Sequence, residues 1–408
     1  MADYNPYKFG RLNNYLYLCI VNYHNSMGQI ISNEQRRYLG LEPIGSQWEA
    51  VEYCNRQNSN DQIYLLFDGD VVRRKIIINP STYQEVQLNV LTTENRTVVL
   101  PKTKRGRPKP LNFTSAQAMA GEGTYFYVWW GKEECSVGIA NYTTQQTYIH
   151  EDFQSRGSLR ESVQTWLQQW IADTSEKDME EIEQFKMAKR THQRFKVGDF
   201  FAFKISRREW GYGRILMDTS ELRKDPDFTA NKNWGLANLM GRPLIVHLYH
   251  KIGSTPEVPI EELYRLKTMP SQAVMDNRFF YGEYPVIGHL PLSVEDYEPL
   301  ISLGRSIRYN IDPGTVYLQY GLIYRETREW QFRERFPDIS LDKFRNEGIG
   351  FQLDFCRLRQ CIAMQSNAPY WRNSTCYGDL RDPKYAELKQ RLFDFFGLDA
   401  SKSYAELL

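Results

Sequence analysis

The stretch Arg194–Asp218 reads RFKVGDFFAFKISRREWGYGRILMD. It opens with a Val197-Gly198-Asp199 turn and runs into a strand in which phenylalanines crowd an apolar face. A polar Ser206-Arg207-Arg208-Glu209 turn follows, and the chain returns through Tyr212 to Met217. Gly211 and Gly213 in the return strand permit a bulge or a close approach of another group to the backbone. Two short aromatic strands joined this way predict a small, strongly bent antiparallel sheet. More strand-like runs follow in PLIVHLYH (243–250) and FFYGEYPVIGHLPL (279–292).

The end of the chain closes on a helix. In DPKYAELKQRLFDFFG, Asp382 stands at the N-cap, Pro383 at the first helical position and Gly397 at the stop, with Tyr385, Leu388, Leu392 and Phe395 on one face. The same DLRDPKYAELK run holds Asp379, Asp382, Glu387 and Lys389, a content loosely like that of a metal nuclease. A capped helix and its lead-in do not supply the paired strands such enzymes use, so the cap explains Asp382 better.

The first half is also strand-rich. YLYLCIV (15–21), IYLLF (63–67), VVRRKIII (71–78) and YQEVQLNVL (83–91) alternate with turn signals, and Asp68-Gly69 marks a tight hairpin. Ser46 and Glu49 form an S-x-x-E box that predicts a short helix over SQWEAVEYC. TYFYVWWGKEECSVGIANY (124–142) reads as a hairpin. After it, Ser158 and Glu161 cap a helix whose Val163, Trp166, Leu167, Trp170 and Ile171 form one apolar stripe, fit to pack on a sheet. Asp178 to about Arg190 reads as a thin-faced connector helix with acids first and bases last.

The 408 residues exceed what one growing core accommodates, so several domains are expected. With 41% hydrophobic and 25% charged residues the chain is globular, and 14% aromatics suit strand-rich cores. A net charge of +1 excludes a protein that is basic throughout, so any nucleic-acid affinity must be local. The six cysteines lack paired spacing and read as reduced thiols of a cytoplasmic protein. No export signal and no run long enough to span a membrane are visible.

The local exception is KTKRGRPKP, Lys102 to Pro110. Lys104, Arg105, Gly106, Arg107 and Pro108 resemble an AT-hook. An extended Arg-Gly-Arg-Pro core could lie in the narrow minor groove of AT-rich DNA while neighbouring lysines meet phosphates. The alternative is a solvated, proline-stiffened linker. Catalytic signatures are missing: the histidines form no H-E-x-x-H pattern, no phosphate loop or nucleophile elbow occurs, and His247 and His250 fall on opposite faces of a strand. The protein is read as a non-enzyme without cofactor or metal.

Over about residues 194–303 the chain resembles the immunity protein 26 family. The motifs are Gly198 and Asp199 before an apolar strand, then Tyr212, Gly213 and Arg214, then Val286, Ile287 and Gly288 before Pro291 and Leu292. The resemblance implies a bacterial immunity protein of a polymorphic-toxin system, whose partner is a protein toxin neutralised by direct binding. Trp210, Tyr212, Arg214, Tyr281 and Tyr284 are then the candidate partner-binding residues. AT-rich DNA is the alternative partner. The expected architecture is α+β and strand-rich: a β-rich domain over 1–100, a basic linker over 101–112, a hairpin and helix over 113–173 and a connector over 174–193. An immunity-26-like domain over 194–310 and an α+β extension over 311–408 complete it.

Overall fold

The structure, a computed structural model, describes residues 31–224, 226, 241–305, 314–345, 353–372 and 378–408. The expected strand YLYLCIV, Cys19, His24 and Cys376 lie outside them. The chain divides into two units, 1–191 and 192–408. Both are strand-rich α+β assemblies of antiparallel sheets with a few helices.

Unit 1 is built on β1 (Glu49–Cys54), β2 (Gln62–Asp68), β3 (Val71–Asn79), β4 (Thr82–Thr93), β5 (Val98–Val99), β6 (Lys109–Pro110), β7 (Thr124–Trp130), β8 (Glu134–Asn141) and β9 (Gln146–Gln154). Seven of these run in spatial order β1-β2-β3-β4-β7-β8-β9, with β5 and β6 paired at the end of β4. Because β4 pairs directly with β7, the residues on either side of the basic stretch share one sheet. Lys102–Lys109 is therefore a loop inside unit 1 and not a linker between domains. The β2–β3 turn forms where Asp-Gly predicts it, with Gly69 at φ +61°.

One face of the sheet is covered by the helices Asn33–Arg37, Leu159–Ala172 and Glu176–Met187, and Trp166, Leu167, Trp170 and Ile182 join Phe126, Val137 and Ile149 in its core. Ser158 and Glu161 make the capping box expected of them. The helix expected from Asp178 starts two residues earlier because Ser175 and Asp178 form a box of their own, and its buried Ile182 makes it part of this core, not a bare connector. The opposite face carries Ile63, Leu65, Phe67 and Val86 under the short helix Phe113–Gln117.

The helix expected over SQWEAVEYC is replaced by β1. Glu49 to Cys54 pair in register with Phe67 to Gln62, and these cross-strand hydrogen bonds outweigh the local Ser46–Glu49 box.

The sheet and the first helix are joined by a buried charge network. Glu85 is fully buried in β4, where it accepts hydrogen bonds from Arg36, Arg74 and Tyr83. Burial alone would raise its pKa, but the two guanidinium groups prevail and hold it at about 2.

In unit 2, β10 (Asp199–Ser206), β11 (Glu209–Asp218), β12 (Pro243–Gly253), β13 (Gln272–Met275) and β14 (Val286–His289) form one sheet in the order β13-β12-β11-β10-β14. The second sheet, β15 (Ile301–Arg305), β16 (Thr315–Tyr320) and β17 (Ile323–Arg328), was not foreseen as separate. Its core is closed by Phe332, Leu392, Phe393 and Tyr404 from the C-terminal helices. Asp382 and Gly397, at φ +72°, bound the closing helical segment as expected. Arg381 ties the two sheets together: its guanidinium donates to the Ser271 hydroxyl and carbonyl at 2.7 and 3.0 Å and pairs with Asp379 at 2.7 Å. That contact accounts for Asp379 of the DLRD run, Asp382 caps the helical segment, and the described residues hold no group of three or more His, Cys, Asp or Glu able to bind a metal.

The Glu85 network predicts acid sensitivity of unit 1. The folded pKa lies below the ordinary 4.5, so the stability is present above that pH and is lost as pH falls towards about 2. Glu85→Gln leaves Arg36 and Arg74 buried without their counter-charge and should destabilise unit 1 by about 3–5 kcal/mol. Hydrogen exchange at β3 and β4 during urea unfolding checks this, and unchanged protection would show that the network carries no such weight.

Candidate functional site

Unit 2 gathers the residues of the family-like pattern around one guanidinium. Arg214 sits in β11, directly across from Phe200 on β10 and His247 on β12. Its side chain is 1% exposed, so each of its polar contacts must come from protein. Nη2 donates to the carbonyls of Leu290 and Pro291 at 2.8 and 3.1 Å, and Nη1 pairs with Asp296 at 3.3 Å. The guanidinium plane also meets the ring of Phe200 at 4.9 Å and that of Tyr264 at 5.4 Å.

The glycines explain how these parts approach so closely. Gly198 has φ +90°, and a Cβ there would lie 2.5 Å from the Leu290 carbonyl oxygen. Its amide donates to Ile215 and its carbonyl accepts from Leu290, which anchors the segment after β14 to the sheet. Asp199, also buried, accepts from the Lys196 amide at 2.8 Å and pairs with His289 Nδ1 at 2.8 Å. A Cβ on Gly213 would fall 2.4 Å from the Phe201 ring, and one on Gly211 2.3 Å from the Phe203 ring. Both glycines thus serve the close approach expected of them, with a shift of β11–β12 register between them.

Charge in the centre is arranged around Arg214. For Asp296, burial raises the pKa, but the Ser293 amide and Arg214 outweigh it and hold the carboxyl below its ordinary value. His247 is pushed down to about 3, first by burial and then by Arg214, so it is neutral at physiological pH. His250 bonds instead to Asn367 at 2.9 Å, and the two histidines share no ligand position.

The candidate partner-binding residues divide. Tyr212 is 1% exposed and donates its hydroxyl to the Thr255 carbonyl at 2.6 Å, fixing the loop after β12. Tyr284 is packed among Phe201, Phe203 and Phe279. With Arg214, these residues lie in the core and cannot themselves meet a partner. Trp210 is half-buried beneath the Lys204 ammonium, and Tyr281 is half-buried beside His192.

What Arg214 presents outward is a patch the sequence reading missed. Tyr264 is 45% exposed, Leu290 36% and Val294 45%. Each belongs to a segment bound to the guanidinium: Tyr264 covers it, Leu290 gives it a carbonyl, and Val294 lies in the helical turn Val294–Asp296 that supplies its carboxylate. Exposed Pro291, Glu261 and Glu295 flank the patch. The Ser293 to Asp296 spacing was a legible signal of a capped turn, but nothing local marked its neighbours as exposed.

The basic stretch in unit 1 is not the extended finger expected of it. Gly106 has φ +71°, its amide donates to the Thr103 carbonyl at 2.8 Å, and the Thr103 amide donates to the Arg107 carbonyl at 3.2 Å. Lys104, Arg105, Gly106 and Arg107 therefore form a closed turn, exposed throughout, with Pro108 leading into β6. Cys54, Cys135 and Cys361 are free cysteines, and no described helix is long and apolar enough to cross a membrane.

Residues 196–310 match the model of the immunity protein 26 family. The match covers the sheet β10–β14, Arg214 and the exposed patch, and it leaves unit 1 and the last 98 residues of the chain unmatched. Neither the curated proteins nor the solved structures contain a significant match.

Arg214→Ala should lower the stability of unit 2 by about 3–5 kcal/mol, since it removes a buried guanidinium and leaves half-buried Asp296 and two carbonyls without their donor. Tyr264→Ala, at an exposed position, should cost less than about 1 kcal/mol. Denaturant unfolding of the two variants reads the difference, and equal effects would refute the central role given to Arg214.

Proposed function

We propose that the protein is an immunity protein that neutralises a cognate toxin by direct binding, and that the patch of Tyr264, Leu290 and Val294 is part of the contact. The observation that carries the reading is a coincidence: the family match covers a part of unit 2 in which buried polar groups are arranged to hold an apolar patch in the open. Exposed aromatic and aliphatic side chains on a rigid support are the usual anchors of tight interfaces, because little conformational entropy is lost when they are covered. Occlusion of the toxin requires no catalytic group, and the mechanism assigns none. Action within the cytoplasm of the producing cell follows from the same reading.

In this scheme Arg214, Asp199 and the glycines are positioning residues. They fix the segment after β14, and the segment presents the anchors. A stable inhibitory complex buries about 1,600 Å² in all, so residues beyond the patch, such as half-buried Trp210 and Tyr281, join its rim.

The test is calorimetric titration of the protein with the toxin encoded next to its gene. Wild type should bind one to one. Leu290→Asp with Val294→Asp should weaken binding a hundredfold or more, about 2.7 kcal/mol, while leaving the melting temperature within a few degrees. A complex that the double variant forms with full affinity would remove the patch from the interface, and the lack of any stoichiometric complex would remove the function.

A further inference from the structure

The geometry points to a second binding element in unit 1: the loop Lys102–Lys109 holds duplex nucleic acid by its phosphate backbone, without reading its sequence. The loop carries Lys102, Lys104, Arg105, Arg107 and Lys109 within eight residues, and the first four are exposed. Among the described residues none of the five cations forms an ion pair. This stands out in a chain whose 51 basic residues are matched by 50 acidic ones, and whose other basic groups are often paired, as Arg96 is with Glu49 and Lys186 with Glu42.

The loop is also shaped in advance. The Thr103 hydroxyl accepts from the Arg107 amide at 3.1 Å, beside the Thr103–Arg107 and Gly106–Thr103 backbone bonds. Val98 and Val99 pair with Pro110 and Lys109 and fasten the base of the loop to the end of β4. A Cβ on Gly106 would meet nothing within 4 Å, so the tip stands clear of the protein. Cations held on a closed turn lose less freedom on binding than cations on a loose tail.

The same geometry selects the ligand and the mode. Minor-groove readout of AT-rich DNA needs the Arg-Gly-Arg-Pro core to lie extended and flat in the groove, but the backbone is closed into a turn between Thr103 and Arg107 with Gly106 at φ +71°. Exposed cations on a turn suit phosphates along a backbone, which every duplex presents alike. No aromatic ring lies in the loop to stack an unpaired base, and no large apolar side chain is there to enter a bilayer, so a duplex fits better than a single strand or a membrane.

The test is fluorescence anisotropy of the full-length protein with AT-rich and GC-rich DNA duplexes of equal length, and with vesicles containing anionic lipid. Both duplexes should bind with the same affinity, with log K falling against log salt at a slope of roughly −3 to −4.5, the range for about three to five phosphate contacts. Lys104→Glu with Arg105→Glu and Arg107→Glu should abolish binding at about 100 mM salt while the melting temperature and the toxin affinity stay unchanged. No duplex binding even at about 50 mM salt, or undiminished binding by the triple variant, overturns the proposal. A tenfold preference for the AT-rich duplex overturns the sequence-neutral mode, and binding to vesicles alone assigns the loop to a membrane.

Discussion

A guanidinium removed from water has to find protein acceptors for its N–H groups, and in unit 2 that requirement organises the surface. Arg214 takes the Leu290 and Pro291 carbonyls and the Asp296 carboxylate, and it lies between the rings of Phe200 and Tyr264. These groups come from β10, the helix Ile260–Tyr264 and the segment after β14, which are far apart in the chain. Holding them together leaves Leu290, Val294 and Tyr264 facing solvent. The exposed patch is thus a product of the buried contact, and residues that never touch a partner can still determine how it is met.

Unit 1 uses the same device for another end. Glu85 draws Arg36 from the first described helix and Arg74 from β3 onto one carboxylate, which joins helix to sheet. Cations with acid partners hold the fold, and those of the basic loop are left for solvent or a ligand. The stretch that matches the family model lies in unit 2, and the basic loop lies outside that match, in unit 1.

What could be read from the sequence was what is local. The Asp68-Gly69 turn, the Ser158–Glu161 box and the Asp382–Gly397 helix each depend on residues within a few positions, and each formed. The Ser46–Glu49 box was just as local, yet β1 won because its partner, Gln62–Phe67, offered a full ladder that no window around Ser46 reveals. Tyr212 and Tyr284 failed as surface anchors for a related reason: an amphipathic ring with a polar tip suits an interface and a core equally, and only the fold shows that the Tyr212 hydroxyl donates to the Thr255 carbonyl and the Tyr284 hydroxyl accepts from Arg278. The pattern Gly198-Asp199, Tyr212-Gly213-Arg214 and Val286-Ile287-Gly288 falls within the stretch that the family model matches. Tyr264 and Val294 could not be found, since exposure is a property of what the rest of the chain leaves uncovered.

The order in which the chain is made adds a consequence of the Arg381 contact. Synthesis releases residues from the N-terminus at about 5–20 per second, and units fold as they emerge. The sheet of unit 1 is complete by Gln154, but Ser271 waits for Arg381 and the core of the second sheet waits for Leu392, Phe393 and Tyr404. A ribosome must therefore pass Tyr404 before unit 2 is whole. A message broken before the Arg381 codon would yield a folded first half carrying the basic loop and an incomplete second half.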